Sequence, residues 1–328
     1  MEADLRRVLV TAVAPLAWGA NYFVTHRYLP ADHPLYGAAL RALPAGLVLL
    51  ALSRERPRGS WWWKAAVLGL LNCGAFFVLV YVASQALPTS VASTVMAAAP
   101  LAMMLIAWAV LSERPRLPHL AGAVTGLAGV CLMLLAGTGP VNAAGVLASA
   151  GAMVVSSVGY ILSKRWSAGA GVLASTSWQL LAGGLLLLPV AAAVEGAPPA
   201  LGAAALLGFG YVTLVATALA FVVWFAGLRH LPVGTVGLVG LLNPVTGVLL
   251  GTVIAGELLT LRQFAGVVLV LIGVGLGRPR ASPARALRAR ALRARTVRTK
   301  TERGVAEPVR PGGPPRAGGP GGGGTDGG

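Results

Sequence analysis

Residues 87–129 of this chain recur as residues 231–273, so any fold it adopts must contain the same unit twice. An offset of 144 places Pro88 on Pro232, Pro100 on Pro244, Glu113 on Glu257, Gly122 on Gly266 and Gly129 on Gly273. Twelve of the 43 aligned positions are identical. Matches at Leu, Val or Ala mean little in a chain that is 56% hydrophobic, so the register rests on the five at Pro, Glu and Gly. A second offset, 138, carries the likeness into the earlier part of each half: Tyr22 meets Tyr160, Arg27 meets Arg165, Arg41 meets Gln179 and Gly46 meets Gly184. The change from 138 to 144 requires six extra residues before the eighth helix, expected in the 195–200 loop.

The repeated unit is a membrane unit. Only 11% of the residues are charged, against roughly 25% in soluble domains. Stretches of about 20 residues without Asp, Glu, Lys or Arg recur, the length that crosses the hydrocarbon core. Ten helices are expected, at about 8–28, 35–53, 64–85, 90–111, 119–136, 143–163, 172–194, 201–228, 233–255 and 262–277. Turn-forming residues separate them, among them Pro30, Pro34, Pro57, Pro88, Pro115, Pro118, Pro140, Pro199 and Pro232. The first follows Arg6-Arg7 in the manner of a signal peptide, but nine more spans follow, and it is expected to stay as a permanent helix.

Five spans per repeat is an odd number, so the halves 8–136 and 143–277 enter the bilayer in opposite senses. Such an inverted repeat suits a carrier that opens to each side in turn. Loop charge favours both termini inside. That orientation puts Arg6, Arg7, Arg54, Arg56, Arg58, Lys64, Arg114, Arg116, Lys164, Arg165 and Arg229 on the cytoplasmic side, and leaves Arg27 and Arg262 outside. Trp61-Trp62-Trp63-Lys64 then reads as an interfacial anchor at the inner end of the third span. The net charge of +16 does not imply nucleic acid, because 12 Lys/Arg lie in the stretch 278–328. That stretch reads as a disordered cytoplasmic tail, basic and then Pro/Gly-rich, which meets anionic lipid.

Ten spans in two repeats, with these residues in order, resemble the EamA family of the drug/metabolite transporter superfamily. The residues are Trp18-Gly19-Ala20-Asn21, Arg41, Ala86-Leu87-Pro88, Pro100-Leu101, Glu113-Arg114, Gly122, Gly126, Gln179-Leu180-Leu181, Leu231-Pro232, Asn243-Pro244-Val245, Glu257 and Gly266. The resemblance covers residues 8–277. It implies a carrier of small metabolites in a bacterial inner membrane, often an exporter. Gly256-Glu257-Leu258-Leu259 departs from the pattern, lacking the basic residue that follows Glu113.

Candidate binding residues are the polar and aromatic groups inside spans. Arg41 is the one ionisable residue well within a span, where insertion costs about 3 kcal/mol, so a compensating role is expected, either toward an anionic or carbonyl group of a substrate or in snorkelling. Trp18, Tyr22 and Thr25 share one helical face, with Asn21 beside them; Tyr160 and Gln179 are repeat mates of Tyr22 and Arg41. Tyr81 and Gln85 on the third span, with Asn72, and Trp224 and Asn243 on the eighth and ninth, with Tyr211, complete the set. Trp224 becomes the mate of Tyr81 with one residue inserted near Arg229. Interhelical packing is the competing reading for each. Pro100 and Pro244 are expected to kink their helices near the bundle centre, for gating or for packing. Glu113 and Glu257, at span ends, are expected to fix helix ends by hydrogen bonding, and no carboxylate lies mid-span for proton coupling. The Gly122-x-x-x-Gly126 and Gly247-x-x-x-Gly251 pairs signal close helix packing, within the bundle or between copies; the fifth and tenth spans, rich in Gly and plain aliphatics, are expected at the periphery, where they would support a homodimer.

Cys73, Cys131 and the four scattered His residues show no metal-ligand spacing, and no cofactor is expected. An intramembrane enzyme lacks its carboxylate pair, metal pair or Ser–His spacing. A non-transporting scaffold or receptor has no need of an inverted repeat. A secondary transporter for a small metabolite, such as an amino acid or related compound, is the expected function, with Arg41 favouring substrates that carry a carboxylate.

Overall fold

The computed structural model describes residues 2–30, 32–87, 89–134, 142–255 and 260–277. Glu257, the 135–141 connection between the halves and the basic tail from Arg278 onward lie outside the described residues, whereas 195–200 lies inside them. Ten helices follow in order. They are α1 (Glu2–Tyr28), α2 (Pro34–Ser53), α3 (Trp61–Gly69 continuing to Ala75–Ala86), α4 (Thr89–Met96 and Ala99–Leu111) and α5 (Leu117–Leu134). The second half gives α6 (Ala143–Arg165), α7 (Val172–Glu195), α8 (Ala203–Thr213 continuing to Ala220–His230), α9 (Val233–Gly240 and Leu242–Ala255) and α10 (Leu261–Leu276). Among the described residues there is no strand, and nine of the helices are long and apolar enough to cross a bilayer. The tenth, α10, has 16 residues. The chain is therefore a multi-pass membrane protein.

The residue distribution fits a lipid solvent. Ala14, Ala39, Ala45, Ala152, Ala216 and Ala220 are fully buried, while Leu147, Leu207 and Val253 stand 73%, 79% and 79% exposed. Small residues let helices approach where no hydrophobic effect drives them together, and branched aliphatics face the lipid.

Packing follows the repeat. Helix α2 lies along its mate α7, and α5 along its mate α10. Helix α1 packs on α8 and α9, and its mate α6 packs on α3 and α4. Exchange of the two halves thus maps these main contacts onto one another. The irregularities also repeat. A π-turn interrupts α3 at Leu70–Gly74 and α8 at Leu214–Leu219, which begin 144 residues apart. Helix α4 breaks at residues 97–98 and α9 at Leu241, again 144 apart. Pro100 and Pro244 therefore do more than kink continuous helices: each lies in the first turn of a new helical piece, where its missing N–H has no helical partner to lose.

The six extra residues of the second half do not lie in the 195–200 loop. The connections 54–60 and 196–202 have the same length. Helix α7 has 24 residues against 20 in α2, and α8 has 11 residues before its π-turn against 9 in α3. Four of the six residues thus lengthen α7 by about one turn and two lengthen α8, where the added residues keep their backbone hydrogen bonds.

The α5–α10 pair explains the repeated glycines. A Cβ on Gly129 would stand 2.6 Å from the carbonyl oxygen of Gly266, and one on Gly266 would stand 2.6 Å from that of Gly129. Gly122 and Gly273 face each other's carbonyls in the same way. Gly126 is filled by Leu241. The Gly122-x-x-x-Gly126 pair thus serves packing within one chain. Replacing Gly129 or Gly266 by Leu should destabilise the bundle by about 1–3 kcal/mol, because backbone cannot yield as a side chain can. Thermal unfolding in detergent checks this, with Gly275→Ala, which meets nothing within 4 Å, expected to be neutral.

Candidate functional site

Two π-turns hold the polar centre of the bundle. Each widens its helix by one residue and takes carbonyls and side chains out of the regular ladder. On α8, the carbonyl of Ala216 accepts a hydrogen bond from Trp18 Nε1 at 2.9 Å, and Thr217 Oγ1 accepts one from Arg41 Nε at 3.0 Å. On α3, Asn72 Nδ2 donates to Gln179 Oε1 at 2.8 Å and to Ser163 Oγ at 3.4 Å. Arg41 and Gln179 are repeat mates, and so are the two π-turns. Each half therefore sends a polar arm, from its second helix, to the π-turn of the other half. Gly159, the mate of Asn21, makes room for one of these contacts: a Cβ there would overlap Asn72 Oδ1.

An aromatic cluster adjoins the arms. Trp18 packs edge-on against Trp224 and Phe221 at ring-centre distances of 5.2 and 5.6 Å. Tyr160 meets Trp224 at 5.6 Å and Phe225 at 6.0 Å. The guanidinium carbon of Arg41 lies 5.0 Å from the ring centre of Phe77. Three buried polar atoms here have no protein partner: Trp224 Nε1, Asn21 Oδ1 and Asn243 Oδ1. Helices α1 and α9 touch beside them, since a Cβ on Gly19 would stand 2.6 Å from the carbonyl oxygen of Asn243. A buried polar atom without a partner costs about 1–3 kcal/mol, which makes these three atoms candidates to meet a ligand.

The structure thus gathers Trp18, Tyr160 and Trp224 into one cluster with Arg41 alongside, and places Asn21 and Asn243 on helices in contact. Gln179 is fully buried against Asn72. Tyr81 is not part of the Trp224 cluster; it packs near Leu35, Tyr36 and Ala191. Tyr211 joins α8 to α1 through its hydroxyl, which donates to the carbonyl of Ala17 at 3.2 Å. The side chains of Tyr22 and Gln85 lie outside the described residues.

Carboxylates tie both ends. Glu113 Oε1 accepts from the backbone N–H of Val233 at 2.7 Å, at the start of α9. Its Oε2 pairs with Lys164 Nζ at 3.0 Å, and Lys164 also donates to the carbonyl of Leu231 at 2.9 Å. At the opposite end Glu195 accepts from the N–H groups of Leu35 and Tyr36 at 2.6 and 2.9 Å, capping α2 from another helix. Free N–H groups and the positive end of the helix dipole favour a carboxylate at both places. Thr217 and Glu195 make contacts at the candidate site and at a helix end that sequence reasoning missed. A Thr in an apolar run and a Glu beside a turn carry no local signal; only the repeat register, which aligns the π-turns, points to Thr217.

In chemical terms the centre offers one guanidinium, neutral amide and hydroxyl groups, and aromatic walls. That is equipment for binding an organic molecule by stacking and hydrogen bonding. A double-mutant cycle on Asn72→Ala and Gln179→Ala should return a coupling of about 0.6 kcal/mol, and no more than about 1.7, as for polar pairs between membrane helices. Unfolding in detergent measures it, and additive effects would show that the two side chains do not act together.

Known proteins resemble the chain along nearly all of its helical part. The model of the EamA-like transporter family matches residues 5–135 and, a second time, residues 143–276. Protein PecM of Dickeya dadantii (strain 3937) is 38% identical over 259 residues, which is 78% of this chain and 87% of PecM. A probable amino-acid metabolite efflux pump of Salmonella typhimurium is 28% identical over 273 residues, covering 79% of this chain and 90% of the pump. The uncharacterized inner membrane transporter YedA of Escherichia coli (strain K12) is 26% identical over 266 residues, 80% of this chain and 87% of YedA. A crystal structure with 23% sequence identity has the same fold, with a TM-score of 0.73 over 85% of this chain and all of that one.

Proposed function

We propose that this chain, which belongs to the EamA-like transporter family, exports a small organic metabolite across a bacterial inner membrane by alternating access. The observation that carries the reading is the crossed pair of polar arms, Arg41 to the α8 π-turn and Gln179 to the α3 π-turn, beside the Trp18–Trp224–Tyr160 cluster. Contacts that link each half to the other at mid-bundle are the ones a rocking motion of the halves must rearrange. A substrate bound there would meet both halves at once.

Within this reading, Arg41 holds a carboxylate or carbonyl of the substrate, and Trp18, Tyr160 and Trp224 wall its body. Trp224 Nε1, Asn21 and Asn243 supply hydrogen bonds that the protein alone leaves unmade. Amino acids or related organic compounds fit this equipment, and the Salmonella relative bears a name of that kind. Gln179 is the neutral counterpart of Arg41, so charge recognition comes from one half only. Pro100 and Pro244, at the breaks of α4 and α9, allow the half-helices to tilt. The Glu113–Lys164 pair and the Glu195 cap tie the two ends and have to exchange partners as the ends open. Both termini are inside, as the loop charges favour.

The test begins with an untargeted comparison of metabolites inside and outside cells that carry or lack the protein. Compounds that accumulate inside the lacking cells are then measured by counterflow in proteoliposomes. Arg41→Ala should reduce counterflow by at least about ten-fold at normal membrane levels, equivalent to about 1.4 kcal/mol of lost binding. Unchanged counterflow in that variant removes Arg41 from the site, and no counterflow by the wild-type protein removes the transport reading.

A further inference from the structure

We propose a binding site for the headgroup of an anionic phospholipid at the start of α3, built around Lys64. The ammonium of Lys64 lies 5.6, 5.8 and 5.9 Å from the ring centres of Trp61, Trp63 and Trp166. Those rings are themselves held: Trp61 packs edge-on to Trp178 at 5.3 Å, and Trp63 to Trp166 at 5.1 Å. Trp178 Nε1 donates to the carbonyl of Glu55 at 2.9 Å and so pins the 54–60 connection above the cluster. That connection carries three exposed cations, Arg54, Arg56 and Arg58, and one exposed carboxylate, Glu55, which forms no ion pair with them.

The charges in this corner differ from others at the same end of the bundle. Lys164 is bound to Glu113 and the carbonyl of Leu231, Arg165 to the carbonyl of Val110, and Arg229 to the carbonyl of Ala170 and to Ser175. Among the described residues the ion pairs are Arg7–Asp4 and Lys164–Glu113, so Lys64 and the three Arg residues of the connection meet no carboxylate. Trp62 and Trp63 stand 65% and 52% exposed, on a helix that enters the membrane here. Exposed indoles settle at headgroup depth, which puts the four cations level with lipid phosphates.

The same geometry selects the headgroup. A ring of three indoles ordinarily receives a quaternary ammonium. Here Lys64 already occupies it, so the cluster presents fixed positive charge and repels a choline. A phosphodiester without a compensating cation, as in phosphatidylglycerol, is the complementary group, and the Arg residues add charge-assisted bonds to its oxygens. The site is independent of what the bundle carries and of which face is cytoplasmic.

The test uses the full chain, purified in detergent and stripped of lipid, with phosphatidylglycerol and phosphatidylcholine of identical acyl chains. Native mass spectrometry reads the lipid retained, and indole fluorescence reads the affinity. Phosphatidylglycerol should bind at least about five-fold more tightly. Lys64→Gln should reduce that preference about five-fold and R54Q/R56Q/R58Q should abolish it, whereas Lys64→Arg keeps it. R114Q/R116Q, which removes two exposed cations from the same end, is the control for general surface charge and should leave the preference intact. Equal binding of the two lipids, an unchanged preference in Lys64→Gln, or an equal loss in the control would each overturn the proposal.

Discussion

In hydrocarbon, every backbone N–H and C=O must find a partner inside the protein, and each departure from the α-helical ladder has to be made good locally. Among the described residues the ladder is interrupted in two repeat-related pairs, the π-turns of α3 and α8 and the breaks of α4 and α9, while Pro15, Pro44 and Pro189 each remove one N–H from an otherwise continuous helix. The compensation is visible for the α8 turn, where the indole of Trp18 takes the carbonyl of Ala216. At the breaks, the missing N–H of Pro100 and of Pro244 falls in a first turn, where no ladder bond is lost. Irregular backbone and polar side chains therefore occur together at the two π-turns.

That coupling explains why the candidate site is shared by the halves. A π-turn offers groups that its own helix cannot use, and the nearest elements able to use them belong to the opposite repeat. Arg41 reaches Thr217, and Asn72 reaches Gln179. The chemistry of the two contacts differs although their geometry is related. One is a charged donor on a hydroxyl, the other a pair of neutral amides. Duplication supplied the frame and subsequent substitution gave it a charged side and a neutral side.

Much of this was legible in the sequence. The offset of 144 identified glycines that turn out to face each other across α5 and α10, and it placed Pro100 and Pro244 at equivalent irregularities. Periodic apolar stretches gave ten helices, with errors mainly at their ends. The extra six residues were assigned to the wrong place because insertions are usually tolerated in loops, whereas here a full turn extended α7. Glu195 was passed over for the same reason, since it read as loop and in fact caps α2. Composition does not reveal a π-turn: Leu70–Gly74 and Leu214–Leu219 look like ordinary apolar helix, and their polar members, Asn72 and Thr217, are different residue types. The one-residue insertion that would pair Tyr81 with Trp224 does not occur: from the π-turns to Leu87 and Leu231 the two helices keep the offset of 144, so Tyr81 answers to Phe225.

The longer α7 has a further consequence for symmetry. Its extra turn, about 6 Å of rise, carries Glu195 to the start of α2, where two charge-assisted bonds are made. At the other end of the same helix pair an indole is bonded to a loop carbonyl, Trp178 to Glu55, and packs edge-on against Trp61. Two halves that share an ancestry are thus tied differently at their two ends, by carboxylate bonds at one and by a packed aromatic cluster at the other.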